Sequence, residues 1–184
     1  MKKRRFLVLT WMLSLLVMTV LCISVAATAS QIYQKDAVAW IQARENESWA
    51  VDYDHTGGLP QCVDLIKYYA DFLDSSWKPT GNGYDYLSRT DLPSGWTYQS
   101  SPSAGDIAVW AKNKGIAGDN GHVALVKAVY SDNTFYYIDV NGNNGLPGKG
   151  TISNSNPSAF IHPRFLTDTT SLIFDVAFQY PYTR

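Results

Sequence analysis

The chain has 184 residues, 46% of them apolar, 14% aromatic and 17% charged, with a formal net charge of −1. That size holds one or two domains, and so apolar a composition excludes a disordered chain. The charge balance lacks the basic excess of a nucleic-acid binder, and two cysteines exclude a scaffold held by several disulfides.

The N-terminus reads as an export signal. Lys2, Lys3, Arg4 and Arg5 form a basic run, Phe6 to Val25 carries no charge, and Ala27-Thr28-Ala29 follows as an A-x-A pattern. Residues 1–29 are therefore expected to be a secretory signal peptide cleaved after Ala29. The alternative is an uncleaved anchor, since about 20 apolar residues span a bilayer. Cleavage leaves one domain over residues 30–184, not inserted in a membrane. Its 11 remaining basic residues against 16 acidic ones give a net charge of −5. Cys22 leaves with the signal, so Cys62 stays as a lone thiol in an exported protein. Such a thiol is either a small buried apolar group or a nucleophile.

Along the rest of the chain, Gln31 to about Glu47 is predicted as a helix, with Ile32, Val38 and Ile41 on one stripe. Tyr53 to Pro60 reads as a loop. Gln61 to Leu73 reads as a second helix, with Val63, Ile66, Ala70 and Leu73 at helical spacing. Tyr84 to Ser88 is a short third helix, and Asp91 to Gly105, rich in Ser, Pro and Gly, is a loop. From Asp106 the period changes. Asp106–Ala111, His122–Tyr130, Thr134–Val140, Phe160–Leu166 and Leu172–Gln179 are predicted strands, with a hairpin turn at Ser131–Asn133. Helices followed by an antiparallel sheet make an α+β fold.

The chemistry centres on Cys62. It falls in the first turn of the second helix, where free backbone N–H groups and the helix dipole favour negative charge. A thiol placed there has a lowered pKa and reacts as thiolate. The Cys62 N–H and the Gln61 side chain could hold an oxyanion. His122, which follows Gly121 and opens the best strand, is the expected base, with His55 and His162 as rivals. Asp139, Asn141 and Asn143 alternate on the strand after the hairpin, so one of them could orient His122. Which one depends on the turn: moving its centre by one residue moves the partner by two. Trp49, Tyr53, Trp96 and Trp110 are candidate substrate-lining aromatics in a groove between helices and sheet. No metal or cofactor is expected, since no C-x-x-C, H-E-x-x-H or Asp-rich loop is present.

Y-D-H-T-G-G-L-P-Q-C-V-D-L (53–65), P-S-A-G-D-I-A-V-W (102–110), G-H-V-A-L-V (121–126), D-V-N (139–141) and F-I-H-P-R-F (160–165) together resemble the CHAP domain, the cysteine- and histidine-dependent amidohydrolase/peptidase family of bacterial and phage wall hydrolases. The resemblance spans about residues 33–166. It implies a papain-like fold, Cys62 as nucleophile and His122 as base. The family's E-x-N becomes Asp139 and Asn141 here, with Asp in place of Glu. Asp64 matches the family's Q-C-V-D and implies a structural role near the helix start. The implied substrates are peptidoglycan amides, cut at the sugar–peptide amide (N-acetylmuramoyl-L-alanine amidase) or within the peptide (endopeptidase). The tail Thr167–Arg184 is too short for a wall-binding repeat. The expected form is thus a monomeric catalytic module, with wall targeting, or immunity, left to a separate partner.

Three rival readings remain at this point. A papain-like acyltransferase would use the same residues but pass the acyl group to an amine. A catalytically silent secreted binding or toxin-like module would leave Cys62 inert. A neighbouring family of papain-like wall peptidases would start the helix with Cys-Ser-Gly, where this chain has Cys62-Val63-Asp64.

Overall fold

The computed structural model describes residues 32–45, 52–53, 60–140 and 147–166. The expected signal peptide, Trp49, His55, Asn141, Asn143 and the strand predicted at Leu172–Gln179 lie outside the described residues.

Two helices, α1 (Gln34–Glu45) and α2 (Cys62–Leu73), are packed on a sheet of six strands among the described residues. The strands are β1 (Thr97–Gln99), β2 (Ile107–Trp110), β3 (His122–Val129), β4 (Thr134–Val140), β5 (Pro147–Ser153) and β6 (Ala159–His162). Their order is β1-β6-β2-β3-β4-β5, with every neighbouring pair antiparallel. A 3₁₀ turn over Gly83–Leu87 lies against β2 and β3. The α+β class predicted from the sequence is the one observed.

α2 is the hinge between sequence pattern and packing. Leu65, Ile66, Tyr69 and Ala70 lose all their solvent contact, and the helix lies on β3 and β4. At its start the Gln61 N–H donates to Asp64 Oδ2 at 2.9 Å, and the Asp64 N–H donates to the Gln61 carbonyl at 3.0 Å. A carboxylate that occupies the free N–H groups and faces the positive end of the dipole fixes where the helix begins. Lys67 Nζ binds the other Asp64 oxygen at 3.0 Å. At the far end Asp74 turns to an extended backbone while its N–H still reaches the Ala70 carbonyl at 2.7 Å. α1 buries Ala37 and Ile41, and Trp40 stacks on Phe72 of α2 with ring centres 5.6 Å apart.

Alternation along the strands divides the core in two. Ile107, Val109, Val123, Leu125, Ile138, Val140 and Ile161 meet the helices. Ala108, Trp110, Ala124, Val126, Phe135 and Phe160 form a second, smaller cluster. This is the period-2 rule acting on a sheet that buries both faces.

The entry to β3 depends on close backbone approach. Gly121 sits at φ +67°, the left-handed region that favours glycine. A Cβ there would fall on the Tyr84 amide nitrogen and 2.7 Å from the Trp110 carbonyl oxygen. Gly118, three residues earlier, has open space around it. Gly121→Ala is therefore expected to destabilise the fold by about 1–3 kcal/mol, read as a lowered denaturation midpoint, with Gly118→Ala as a control that leaves it nearly unchanged.

Candidate active site

The site joins the start of α2 to the start of β3. Cys62, the first residue of α2, is partly exposed and is a free thiol. His122, the first residue of β3, keeps 3% of its surface, and Asp139, near the end of β4, keeps 8%. His122 Nε2 contacts Asp139 Oδ2 at 2.7 Å. Cys62 is a second hydrogen-bonding and electrostatic partner of the same imidazole. With Nε2 taken by the carboxylate, Nδ1 is the ring atom left to face the sulfur.

The β3–β4 register explains why Asp139 is the partner. Leu125 pairs with Ile138 and Val126 with Tyr137. Continued by one pair, that register sets Asp139 beside Ala124, a single diagonal step from His122 on the same face, within reach of a carboxylate. Nearer the turn the pairing slips by one residue between Val126 and Ala128, a β-bulge. The slip is invisible in the turn sequence, so even a known turn centre would not have given this register. On the other side of β4, Gly148 of β5 pairs with Asp139, and a Cβ at Gly148 would collide with Asp139 Oδ1. The glycine leaves room for the carboxylate.

Charge in the site favours the imidazolium. Burial opposes the charged ring, but the hydrogen bonds and charges of Asp139 and Cys62 together outweigh it and raise the His122 pKa from 6.5 to about 9. A thiol beside an imidazole held this way has a proton acceptor within reach, the arrangement a cysteine nucleophile needs.

Of the sequence-predicted residues, the structure brings Cys62, His122 and Asp139 together. Gln61 caps α2 through its backbone, and its side chain is exposed beside the thiol. Two of the aromatic assignments, Trp110 and Trp96, need correction. Trp110 has no exposed surface, so it cannot line a groove. It pairs with His122 across β2–β3, its ring lies 5.6 Å from the imidazole, and its Nε1–H donates to Asn156 Oδ1 at 2.5 Å. It walls the base. Trp96 is also displaced from the expected groove. It packs edge-on to Trp77 at 5.0 Å and lines a crevice with Leu73 and Asp74, at the opposite end of α2 from Cys62. Tyr53 stands beside α2, its hydroxyl donating to Asp71 Oδ2 at 2.7 Å. The rival base His162 is engaged elsewhere: its Nδ1 meets the wholly buried Asp106 at 2.6 Å. Asp106 also accepts from the Ser103 N–H at 2.7 Å. Asp106 precedes β2, whose other end carries Trp110, the residue paired with His122 of β3.

Sequence reasoning missed Gly148 and Tyr86. Tyr86, in the 3₁₀ turn, is wholly buried within electrostatic reach of Cys62 and Asp64, and burial pushes its phenol well up. Nothing in a seven-residue stretch holding Pro147, Gly148 and Gly150 signals a strand, so the role of Gly148 had no visible context.

Helices laid on an antiparallel sheet, with a cysteine opening a helix and a histidine opening a strand, define the papain-like α+β class. Within that class, residues 51–141 match the CHAP domain, so the chain carries a CHAP domain, with Cys62, His122 and Asp139 all inside it. The crystal structure of the endolysin LysIME-EF1 is similar, with TM-score 0.60 and 21% identity over 76% of this chain and 68% of that one. The crystal structure of Ly7917 with the hydrolysing product of MDP has TM-score 0.54 and 18% identity, covering 71% of this chain and 62% of that chain, less than two thirds of its length. At these identities the likeness is one of fold. No curated protein sequence matches the chain.

His122 supplies a pH signature. Its folded pKa lies above its ordinary value, so its contribution to stability is complete below about pH 6.5 and is lost as pH rises through about 9. NMR titration of the imidazole is expected to give a midpoint near 9 in the intact protein. Cys62→Ala and Asp139→Asn, each removing a partner that raises it, should lower it. A wild-type midpoint at or below the ordinary value would contradict this electrostatic account.

Proposed function

We propose that the protein is an exported cysteine hydrolase that cleaves amide bonds of bacterial peptidoglycan. The CHAP domain supports a peptidoglycan hydrolase. The observation that carries the chemistry is the buried His122, held by Asp139 on one side and by Cys62 on the other. The basic and apolar N-terminal run supports export.

In the proposed reaction the Cys62 thiolate attacks the amide carbonyl carbon, and the π electrons move to the oxygen. The N–H groups at the start of α2, with the exposed Gln61 amide, stabilise that oxyanion. Collapse of the tetrahedral adduct breaks the C–N bond, and the leaving nitrogen takes its proton from the His122 imidazolium. The acyl group now sits on sulfur as a thioester. Water then attacks as His122 accepts its proton, and the acid product departs with Cys62 restored. Asp139 keeps the imidazole oriented and favours its charged form throughout. The buried Trp110 closes one side of the ring, so proton transfer is directed toward the sulfur.

The test is digestion of purified cell walls by residues 30–184, with mass spectrometry of the new termini. The intact protein is expected to release fragments and Cys62→Ala none. His122→Ala should lose about 10²–10⁴-fold in rate. A new free N-terminus on the stem's first residue identifies an amidase, and one inside the peptide identifies an endopeptidase. Equal release by the wild type and Cys62→Ala would overturn the assignment of the nucleophile. Product made only when an acceptor amine is added would replace hydrolysis by acyl transfer.

A further inference from the structure

Alongside α2, a cavity of about 230 Å³ opens between the helix and the segment 77–80. Its walls are the rings of Tyr53, Trp77 and Pro79 and the stems of Lys67 and Lys78. The Tyr53 ring is held edge-on to Tyr68 at 4.8 Å. On the rim Asp71 accepts from the Tyr53 hydroxyl at 2.7 Å through one oxygen and from Lys78 Nζ through the other. Lys67 and Asp71 lie five and nine residues beyond Cys62 on the same helix. At about 1.5 Å per residue, the cavity is roughly 7–13 Å along the axis from the nucleophile.

We propose that this cavity is a saccharide subsite, holding one pyranose ring of the glycan in the same substrate; it rests on the peptidoglycan reading above. A pyranose has an apolar C–H face and a rim of hydroxyl groups. The cavity offers the complement: aromatic and aliphatic walls, and an edge carrying a carboxylate, a phenol and an ammonium that can donate to or accept from hydroxyls. An aliphatic peptide side chain would leave that rim unused. A charged peptide group would meet Asp71 and Lys78 already neutralising one another. The volume, just below the roughly 300–1,000 Å³ of small-molecule pockets, suits one ring better than two. Productive binding would then place the glycan beside α2 and the peptide across Cys62.

The experiment uses the Cys62→Ala protein, which cannot turn over substrate, and the disaccharide of N-acetylglucosamine and N-acetylmuramic acid as probe. Backbone amide NMR is expected to show saturable shifts at residues 53, 67–71 and 77–80. Adding Thr80→Trp, which fills the cavity from its exposed rim, should weaken the apparent Kd about tenfold, and adding Tyr53→Ala should weaken it likewise. Retained amide spectra in both variants confirm that they fold. A disaccharide that leaves these residues unshifted overturns the subsite, as does a sugar-free stem peptide that shifts them in its place. Wall digestion by the wild-type protein, run beside it, keeps the two readings apart: cleavage without saccharide binding removes the subsite and leaves the hydrolase standing.

Discussion

Everything in the site turns on an imidazole held between two partners that come from different layers. Asp139 reaches His122 from the neighbouring strand, 2.7 Å from Nε2, and Cys62 reaches it from the start of α2. Neither partner could do this alone. A buried histidine without a carboxylate would be pushed toward its neutral form by desolvation. With the carboxylate but no sulfur it would be a structural pair, like His162 on Asp106. Among the described residues, the two histidine–carboxylate contacts are alike in distance and differ in what else touches the ring.

Holding that arrangement places demands on distant parts of the chain. Asp64 pins the first turn of α2, so the sulfur has a fixed origin. The Gly121 backbone packs against Tyr84 and Trp110, so β3 begins where the imidazole needs it. Glu45, at the end of α1, binds Lys127 at 2.5 Å and also meets Tyr136 and Lys149, tying the first helix to β3, β4 and β5. These contacts bond the helical layer to the sheet by means other than apolar packing, which is indifferent to small sliding motions. Directional polar contacts of this kind specify one alignment of the layers.

Much of this was legible in the sequence, and the rest was hidden for identifiable reasons. α2, β3 and β4 stood out because their apolar residues recur at 3.6 or 2 positions and because both layers bury them. The strands that went unread, β1 and β5, are the two edges of the sheet. An edge strand pairs on one side only, so it needs little intrinsic preference; β5 carries a proline and two glycines, and β1 is three residues inside a stretch rich in Ser, Pro and Gly. Cys62 and His122 were readable from local context, the start of a helix and the start of a strand. From spacing alone Asp139 was one of several alternating polar residues, because the turn centre is not written in the sequence and the bulge at Val126–Ala128 shifts the register again; the family resemblance narrowed the choice to Asp139 and Asn141. Trp110 and Trp96 were misplaced because aromatic side chains serve cores and grooves equally, and composition does not say which.

The division of the site between layers also sets a chronology. Cys62 belongs to a helix that can form from local contacts, whereas His122 and Asp139 come much later in the chain and meet only when β3 and β4 have paired. In a chain growing from its N-terminus, the thiol is made long before the groups that would activate it. During that interval the thiol has neither partner beside it, and the three groups come together only once β3 and β4 have closed. The order of residues along the chain thus sets the order in which the members of the site appear, the thiol first and its imidazole and carboxylate later.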